Sequence, residues 1–440
     1  MQEEIGNKTF NLMKYLPINS SLFIENRERL ANLLKPKSLA IFNSNDPMPT
    51  NADGTMGFHQ NSDLFYLTGI DQEESILLVF PNCPDPKHRE VLFLKETSEL
   101  IAIWEGYKYT KEHAQEVSGI QKIYWTSQFE TVLNTLVYEA ENIFLNSNEH
   151  LRNHSSVQTR DAKFIIWAKE HFPLHKFERV APLMHQLRSI KSFLEIELIS
   201  EACRITELGF RRLLNFVKPD VTEYEIEAEL IHEFVRNRSK GFAYNPIIAS
   251  GANACVLHYL ENNRACKDSD LILLDVAAEY ANYNSDLTRT IPVNGKFTTR
   301  QRAVYNAVHR VLKYAQSILN VGVLWEEYQK EVESFMESQL IDLGLLNRHD
   351  VEKQNPDNPL LKKYFMHGVS HHLGLDVHDV WNKYRKFEAG MVFTIEPGIY
   401  IKEEGLGIRL ENNYLITETG NIDLMENIPI EADEIEELMN

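Results

Sequence analysis

LILLDVAAEYANYNSDLTRTIPV, residues 271–293, consists of two strand-like aliphatic runs joined by a polar stretch. Asp275 ends the first run, and Asp286 leads into the second. An ionised carboxylate beside a buried strand is costly unless it is paired or bound to a metal. The stretch therefore predicts two neighbouring strands whose acidic side chains need a compensating positive charge.

The chain around this stretch has the same order twice: two helices and then a pair of strands. The first copy comprises helices opened by the capping boxes SFLE (192–195) and TEYE (222–225), a strand-like stretch at 244–250, and then the strand pair at 271–278 and 286–293. The second comprises helical TRQRAVYNAVHRVLKYAQSIL (299–319) and WEEYQKEVESFMESQLIDLG (325–344), then strand-like MVFTIEPGIYI (391–401) and GIRLENNYLIT (407–417). Glu396 and Glu411 lie on the second strand pair. If the two halves face one another, four carboxylates meet between them.

The alternation of strands supports such a meeting, because residues two apart share a face. Glu396 shares its face with Thr394, and Glu411 shares its face with Arg409. Asp286 likewise shares its face with two threonines. A continuous polar face is therefore predicted across three strands.

Histidines are concentrated in FMHGVSHHLGLDVHDV, residues 365–380, which contains His367, His371, His372 and His378. Four close carboxylates repel one another, and two divalent cations would balance their charge. One imidazole could complete this oxygen-rich site, which favours Mn²⁺, with Fe²⁺, Co²⁺ or Zn²⁺ as alternatives. Two metals sharing carboxylates could activate a water for hydrolysis.

Each of these motifs alone is more often structural. A strand-end aspartate is usually a turn or cap residue, and Glu-Pro-Gly usually marks a strand end before a turn. HGVSH (367–371) lacks the glutamate of the HExxH metalloprotease motif. The functional interpretation rests on all the motifs occurring together and in order.

The N-terminal part of the chain predicts a separate α/β domain, as the 440 residues exceed one ordinary core. Strand-like runs alternate there with helical patterns; they are LAIFNS (39–44), LFYLTG (64–69), SILLVF (75–80), VLFLKE (91–96) and NIFLNS (142–147). The pattern breaks within residues 171–191. We place the domain boundary between residues 175 and 176.

Composition limits the class of partner. The net charge of −19 argues against nucleic acid, and no apolar run approaches the roughly 20 residues that span a membrane. The first 21 residues lack the order of a secretory signal, so we expect a cytoplasmic protein. The four cysteines lack CxxC spacing and are expected to be reduced thiols.

Five motifs together resemble the aminopeptidase P proteins of the pita-bread metallopeptidase family. They are LHYLEN (257–262), LLDVAAEYANYNSDLTRTIPV (273–293), FMHGVSHHLGLDVHD (365–379), TIEPGIY (394–400) and GIRLEN (407–412). HQNSDLFYLTGIDQEES (59–75) is similar to the N-terminal domain of that family. The resemblance implies an α/β creatinase-like N-terminal domain, residues 1–175. It also implies an α+β pita-bread catalytic domain with pseudo-twofold halves, residues 176–440.

The resemblance also implies a site with two divalent metal ions, most commonly Mn²⁺. Asp275 would chelate one metal, Asp286 and Glu411 would bridge both, and His371 and Glu396 would complete the shell of the second. Glu396 would also accept a proton from the metal-bridging water, whose hydroxide is the nucleophile.

The same resemblance implies roles for residues on the substrate side. His258 and His378 would act in catalysis by steadying the scissile carbonyl or the tetrahedral intermediate. His367 and Tyr400 would line the substrate pocket, and Arg409 would fix carboxylate geometry from behind. The departures from the family pattern are Trp381 and the short connection at 401–407, which affect the expected pocket rim.

The implied reaction is hydrolytic release of an N-terminal residue that precedes proline, whose ring and missing amide hydrogen demand a dedicated pocket. The expected partners are peptides with proline second, and the expected assembly is a homodimer or homotetramer. Prolidase, which accepts only Xaa-Pro dipeptides, is the nearest alternative. Methionine aminopeptidase is disfavoured by the N-terminal domain, and a non-catalytic binding module is a third possibility.

Overall fold

The computed structural model describes residues 13–440. The chain divides into two compact units, Met1–Arg188 and Ser189–Asn440. The boundary expected from the sequence lies before this division, and residues 176–179 pair with Asn142–Leu145 in the sheet of the first unit. Part of the N-terminal stretch used to predict a cytoplasmic location, residues 1–12, lies outside the described residues.

The first unit is a six-stranded mixed sheet with helices, which confirms the predicted α/β class, although the strands at 122–125 and 176–179 were not predicted. Its strands are β1 (Ser38–Asn43), β2 (Ile76–Val79), β3 (Glu90–Leu94), β4 (Lys122–Trp125), β5 (Asn142–Leu145) and β6 (Lys176–Arg179). Its helices are α1 (Ser21–Leu33), α2 (Ser62–Thr68), α3 (Glu99–Glu105), α4 (Lys111–Ser118), α5 (Phe129–Glu139), α6 (Arg160–His171) and α7 (Ala181–Ser189). The strand order is β4-β3-β2-β1-β5-β6. Aliphatic residues of the central strands form one core with residues of α5.

The strand predicted at residues 64–69 is wrong, because residues 64–68 belong to α2 and Gly69 is its C-cap. The Asn61 side chain caps this helix by accepting hydrogen bonds from the backbone N–H groups of Asp63 and Leu64. Gly69 ends it in a left-handed conformation, with φ of 68°. All of its residues from Leu64 to Thr68 are buried, so no polar face revealed the helical period.

The second unit contains the repeated helix and strand order. Its helices are α8 (Phe193–Phe216), α9 (Glu223–Arg236), α10 (Thr299–Ile318), α11 (Trp325–Asp342), α12 (Arg348–Val351) and α13 (Ala432–Met439). Its strands are β7 (Ile247–Ser250), β8 (Leu271–Asp275), β9 (Glu279–Tyr280), β10 (Tyr283–Asn284), β11 (Thr288–Pro292), β12 (Val392–Ile395), β13 (Gly398–Ile401), β14 (Leu406–Arg409), β15 (Asn412–Thr417) and β16 (Gly420–Asp423). Both capping boxes predicted before α8 and α9 are confirmed.

The two long strand-like runs of the second half are each divided between two sheets. Residues 391–401 form β12, in a sheet ordered β12-β15-β16, and β13, which pairs with β14. Pro397 interrupts the first run, because proline cannot donate a backbone hydrogen bond. Glu396 and Glu411 therefore lie at strand breaks, where their side chains can turn toward a shared site.

Strands of the two halves pair next to these breaks. Thr288, the first residue of β11, forms an antiparallel bridge with Glu411. In the same sheet, β8 pairs with β11 and places Thr288 opposite Asp275. The acidic residues of both halves are thus brought to one place. No helix within residues 13–440 is long and apolar enough to cross a membrane.

Candidate metal centre

The centre of the second unit collects one histidine and four carboxylates. Asp275 is the last residue of β8, and Asp286 lies two residues before β11. Glu396 directly follows β12, and Glu411 lies between β14 and β15. His371 lies in the loop that precedes β12, and its backbone N–H donates to the Thr394 hydroxyl at 3.1 Å.

Three of these residues are close enough to hold one metal ion. Within residues 13–440, Asp286, His371 and Glu411 offer ligand atoms that all lie within 4.8 Å of one another. His371 Nε2 lies 3.3 Å from Asp286 Oδ2 and 3.8 Å from Glu396 Oε1. Glu396 therefore lies next to these three residues and contacts them through His371.

The hydrogen bonds of His371 set its tautomer. Its Nδ1 lies 3.2 Å from the carbonyl oxygen of His372, which can only accept a hydrogen. Nδ1 therefore carries the hydrogen, and Nε2 presents its lone pair to the acidic cluster when the ring is neutral. Burial lowers the pKa of His371, but the hydrogen bond to Asp286 and the charges of Glu396 and Asp286 raise it more. The metal-free site therefore favours a proton on the nitrogen that a metal would use.

Asp275 is held by two donors from outside the cluster. Tyr244 donates its hydroxyl hydrogen to Oδ1 at 2.6 Å, and Arg409 donates from Nη2 to Oδ2 at 2.5 Å. Burial raises the pKa of Asp275, Arg409 lowers it, and the charge of Asp286 raises it. Tyr244 was not predicted as a site residue, because no spacing connects FAYNP (242–246) with the motifs.

Glu411 provides the test of whether the site suits cations. Thr288 donates its hydroxyl hydrogen to Glu411 Oε2 at 2.7 Å, while the buried Oε1 has no hydrogen-bond partner within residues 13–440. Burial and the charges of Asp286, Glu396 and Asp275 raise the pKa of Glu411 well above its ordinary value. A buried carboxylate oxygen without a hydrogen-bond donor, beside further acids, needs a cation to compensate its charge. The residues therefore fit a divalent metal.

Glu396 differs from the other acids in its partial exposure. Its side chain is 21% exposed, and burial of the remainder raises its pKa to about 7, against lowering by His371 and Arg409. A carboxylate that titrates near neutral pH can accept and return a proton.

The substrate-side histidines lie around this centre in different states. The His378 ring meets that of His371 edge to face, with centroids 4.3 Å apart, and both His378 and His258 are exposed. Burial lowers the pKa of His367 to about 3, helped by the charges of Arg409, Lys362 and His258. His367 is therefore neutral, whereas His258 and His378 are exposed, so these histidines can have different roles at the site.

Arg409, Tyr400 and His367 form one directed chain of hydrogen bonds. Arg409 Nη1 donates to the Tyr400 hydroxyl at 2.8 Å, and His367 Nε2 lies 2.9 Å from the same hydroxyl. His367 Nδ1 contacts the Gly368 carbonyl at 2.8 Å, so that nitrogen carries the hydrogen. Tyr400 must then donate to Nε2, which engages both nitrogens of His367 within the protein.

Comparison with known proteins identifies the two parts of the chain separately. Residues 197–418 match the family described as metallopeptidase family M24, and residues 23–144 match the aminopeptidase P N-terminal domain. A Xaa-Pro aminopeptidase of Haemophilus influenzae is 35% identical over 433 residues, covering 95% of this chain and 97% of the relative. The Escherichia coli Xaa-Pro aminopeptidase is 35% identical over 96% of this chain and 98% of its own.

Solved structures agree over the same length. Aminopeptidase P from Escherichia coli, in a low-pH form, has a TM-score of 0.87 and 32% identity, covering 96% of this chain and 99% of that chain. This likeness confirms the predicted fold class, a creatinase-like α/β domain followed by a pita-bread domain. The chain belongs to metallopeptidase family M24 and carries the N-terminal domain characteristic of aminopeptidase P.

Proposed function

We propose that this chain is a metal-dependent Xaa-Pro aminopeptidase, which releases the first residue of peptides that have proline second. The carrying observation is the buried acidic cluster around Glu411, with a carboxylate oxygen that lacks any donor within residues 13–440. The full-length similarity to proteins named Xaa-Pro aminopeptidase supports this substrate class over the dipeptidase alternative.

We further propose that the site holds two divalent ions, with Mn²⁺ the first choice for a set of four carboxylates and one imidazole. Asp275, Asp286, His371, Glu396 and Glu411 would be the ligands. Two dications would cancel the four negative charges that burial otherwise disfavours. When bound, they would supply Lewis acidity and lower the pKa of a coordinated water.

The protein's own groups would carry the remaining steps. Glu396, with a pKa raised to about 7, would accept the proton released by the attacking water and return it to the leaving nitrogen. Exposed His258 and His378 would hydrogen-bond the substrate carbonyl as its oxygen gains charge. Tyr244 and Arg409 would keep Asp275 in a fixed orientation through its two oxygens.

The chain from Arg409 through Tyr400 to His367 would give the pocket a rigid wall. Both ring nitrogens of His367 are engaged, so we propose that His367 contributes shape and orientation rather than a hydrogen bond to the peptide. A wall of this kind suits a proline ring, which has no amide hydrogen to be recognised.

The test is a substrate panel. Metal-stripped protein is assayed with and without Mn²⁺ on Xaa-Pro, Xaa-Pro-Yaa and Xaa-Ala-Yaa peptides. We expect metal-dependent cleavage of Xaa-Pro-Yaa, with little cleavage when alanine replaces proline. Cleavage of dipeptides alone would favour prolidase, and absence of hydrolysis with Mn²⁺, Co²⁺, Fe²⁺ or Zn²⁺ would favour a binding module.

We also propose a homodimer or homotetramer in the cytoplasm. The support for assembly is the exposure of apolar side chains on α3, where Ile103 is 74% and Trp104 is 86% exposed. The support for the compartment is four free thiols, which suit reducing conditions. Light scattering in solution tests the first proposal, and fractionation of cells tests the second.

A further inference from the structure

A buried ion pair lies beside the loop that carries His371 and His378. Lys191 Nζ lies 3.0 Å from Asp379 Oδ2, and both side chains are only 1% exposed. The same Nζ lies 3.0 Å from Nδ1 of His372, a second buried side chain. The ammonium group of Lys191, a residue just before α8, therefore contacts both ends of the segment 372–379.

The contacts of His372 define its tautomer. Nε2 lies 3.1 Å from the carbonyl oxygen of Ser189, which can only accept, so Nε2 carries a hydrogen. Lys191 can only donate, so Nδ1 presents a lone pair to it. The ring is thus neutral and held from both sides, and it stacks on Trp381 at 10° between planes.

The carbonyl oxygen of His372 links the buried ion pair to the metal centre. It accepts the backbone N–H of Asp379 at 2.8 Å and also contacts Nδ1 of His371 at 3.2 Å. The first bond closes the loop into a ring, and the second fixes the tautomer that turns His371 Nε2 toward Asp286. His378, next to Asp379 in sequence, is set by the same closure.

The packing around the pair leaves no room for adjustment. A Cβ added at Gly374 would lie 2.2 Å from Asp379 Oδ2 and 2.9 Å from Lys191 Cε. The backbone N–H of Lys191 also donates to Gly390 at 2.9 Å, which fixes the start of the side chain. The ammonium is therefore placed by the backbone on one side and by a required glycine on the other.

Stability alone does not account for such a pair. Desolvation of two charges cancels much of their attraction, and apolar replacements of buried pairs are often no less stable. A pair that closes a ligand-bearing loop has a further use, because groups that orient metal ligands govern metal affinity. We propose that Lys191 is a positioning residue: through Asp379 and His372 it holds His371 in its metal-binding tautomer and His378 beside it. This inference rests on the proposed metal-dependent function of the same site.

The test measures Mn²⁺ affinity by calorimetry and the unfolding midpoint of metal-free protein, for Lys191→Met and for the double variant Lys191→Met with Asp379→Asn. We expect Lys191→Met to lower both the midpoint and the Mn²⁺ affinity, the latter by about 10- to 100-fold. The double variant removes both charges of the pair, so the midpoint should rise again relative to Lys191→Met while the affinity stays low. Recovery of both together, or wild-type affinity in folded Lys191→Met, would overturn the proposal.

Two further variants guard against a folding failure. Gly374→Ala keeps both charges but pushes Asp379 away from Lys191, so it should also weaken Mn²⁺ binding; unchanged affinity there would count against the positioning role. Arg204→Met is the control. Arg204 forms an exposed ion pair with Glu201 on α8, so this variant should change neither the unfolding midpoint nor the Mn²⁺ affinity.

The outcomes separate this inference from the proposed function. Mn²⁺ binding that depends on Lys191, without cleavage of any Xaa-Pro peptide, would support the positioning role and defeat the peptidase. Peptidase activity with Mn²⁺ affinity independent of Lys191 would do the reverse. A wild-type protein that binds no Mn²⁺ would overturn the positioning role.

Discussion

Thr288 donates its hydroxyl hydrogen to one oxygen of Glu411, at 2.7 Å, while the other, buried oxygen has no partner within residues 13–440. The same hydroxyl accepts a hydrogen from Arg409 Nε at 3.2 Å. Thr288 thus orders a proposed metal ligand from the first half of the domain, although Glu411 itself belongs to the second half. A role in orientation follows, because a hydroxyl can both donate and accept.

Thr288→Val should therefore weaken metal binding. Valine has nearly the same shape but leaves Glu411 Oε2 and Arg409 Nε without their shared partner. We expect a loss in Mn²⁺ affinity of about 10- to 100-fold, measured by calorimetry. Thr288→Ser keeps the hydroxyl and should retain most of the affinity. Equal affinities for the valine and serine variants would remove the hydrogen bond from the account.

Metal uptake should release protons. Burial and neighbouring acids raise the pKa of Glu411 well above its ordinary value, and burial raises that of Glu396 to about 7. The metal-free site thus holds protons at pH 7 that cationic ligation must displace. Calorimetric titration with Mn²⁺ in two buffers of different ionisation enthalpy should give different apparent heats, and proton release should decrease between pH 6.5 and pH 8.5. Buffer-independent heats would contradict this protonation state.

Glu396→Gln should abolish most turnover while the fold is retained. The amide has the size of the carboxylate but cannot accept the water's proton, so kcat should fall about 10²- to 10⁴-fold at saturating Mn²⁺. Activity on an Xaa-Pro-Yaa peptide and the circular dichroism spectrum check the two parts. Glu404→Gln is the control, since Glu404 pairs with Arg300 at the surface and should keep full activity. A kcat near that of wild type would assign the proton acceptor elsewhere.

The outcome for secondary structure reflects what periodicity can report. The amphipathic helices α8 and α10 were predictable, because their capping residues and their helical period agree with one another. Helix α2 was mistaken for a strand because its residues from Leu64 to Thr68 are all buried. The signals that could have identified α2 are its ends, Asn61 as the cap and Gly69 as the stop.

The candidate site was also only partly predictable from the sequence. The positions at strand ends and the repeated order of helices and strands were enough to predict four acidic site residues, Asp275, Asp286, Glu396 and Glu411. In the structure these residues lie near one another. Tyr244 could not be predicted as a site residue, since its contact with Asp275 depends on the tertiary pairing of Phe242 with Ala278 rather than on any spacing. Periodicity in the sequence predicts which face of a helix or strand a residue lies on, but it does not predict contacts between loops, which depend on tertiary packing.

A buried acid in the first unit yields a prediction that does not involve the metal centre. Asp161, on α6, accepts a hydrogen bond from Asn43 Nδ2 at 2.8 Å. Burial raises its pKa to about 7, with a smaller upward contribution from Asp63. In the unfolded chain an aspartate has a pKa of about 3.9, so between these values the folded state binds more protons. The stabilising contribution of the protonated form is therefore complete below about pH 4 and is lost as the pH rises through 7.

Asp161→Asn should flatten this dependence, because the amide cannot ionise. Between about pH 5 and 6.5 the free energy of unfolding of wild type, relative to the variant, should fall by up to about 1.4 kcal/mol per pH unit. Urea unfolding at several pH values gives both curves. Asp85→Asn is a control whose effect has the opposite sign and appears at lower pH. The Lys87 N–H and His88 lower the pKa of Asp85, so its contribution is lost only as the pH falls below the ordinary aspartate pKa of about 3.9, and between about pH 5 and 6.5 this variant should follow wild type. Parallel curves for wild type and Asp161→Asn would mean that Asp161 is ionised throughout this range.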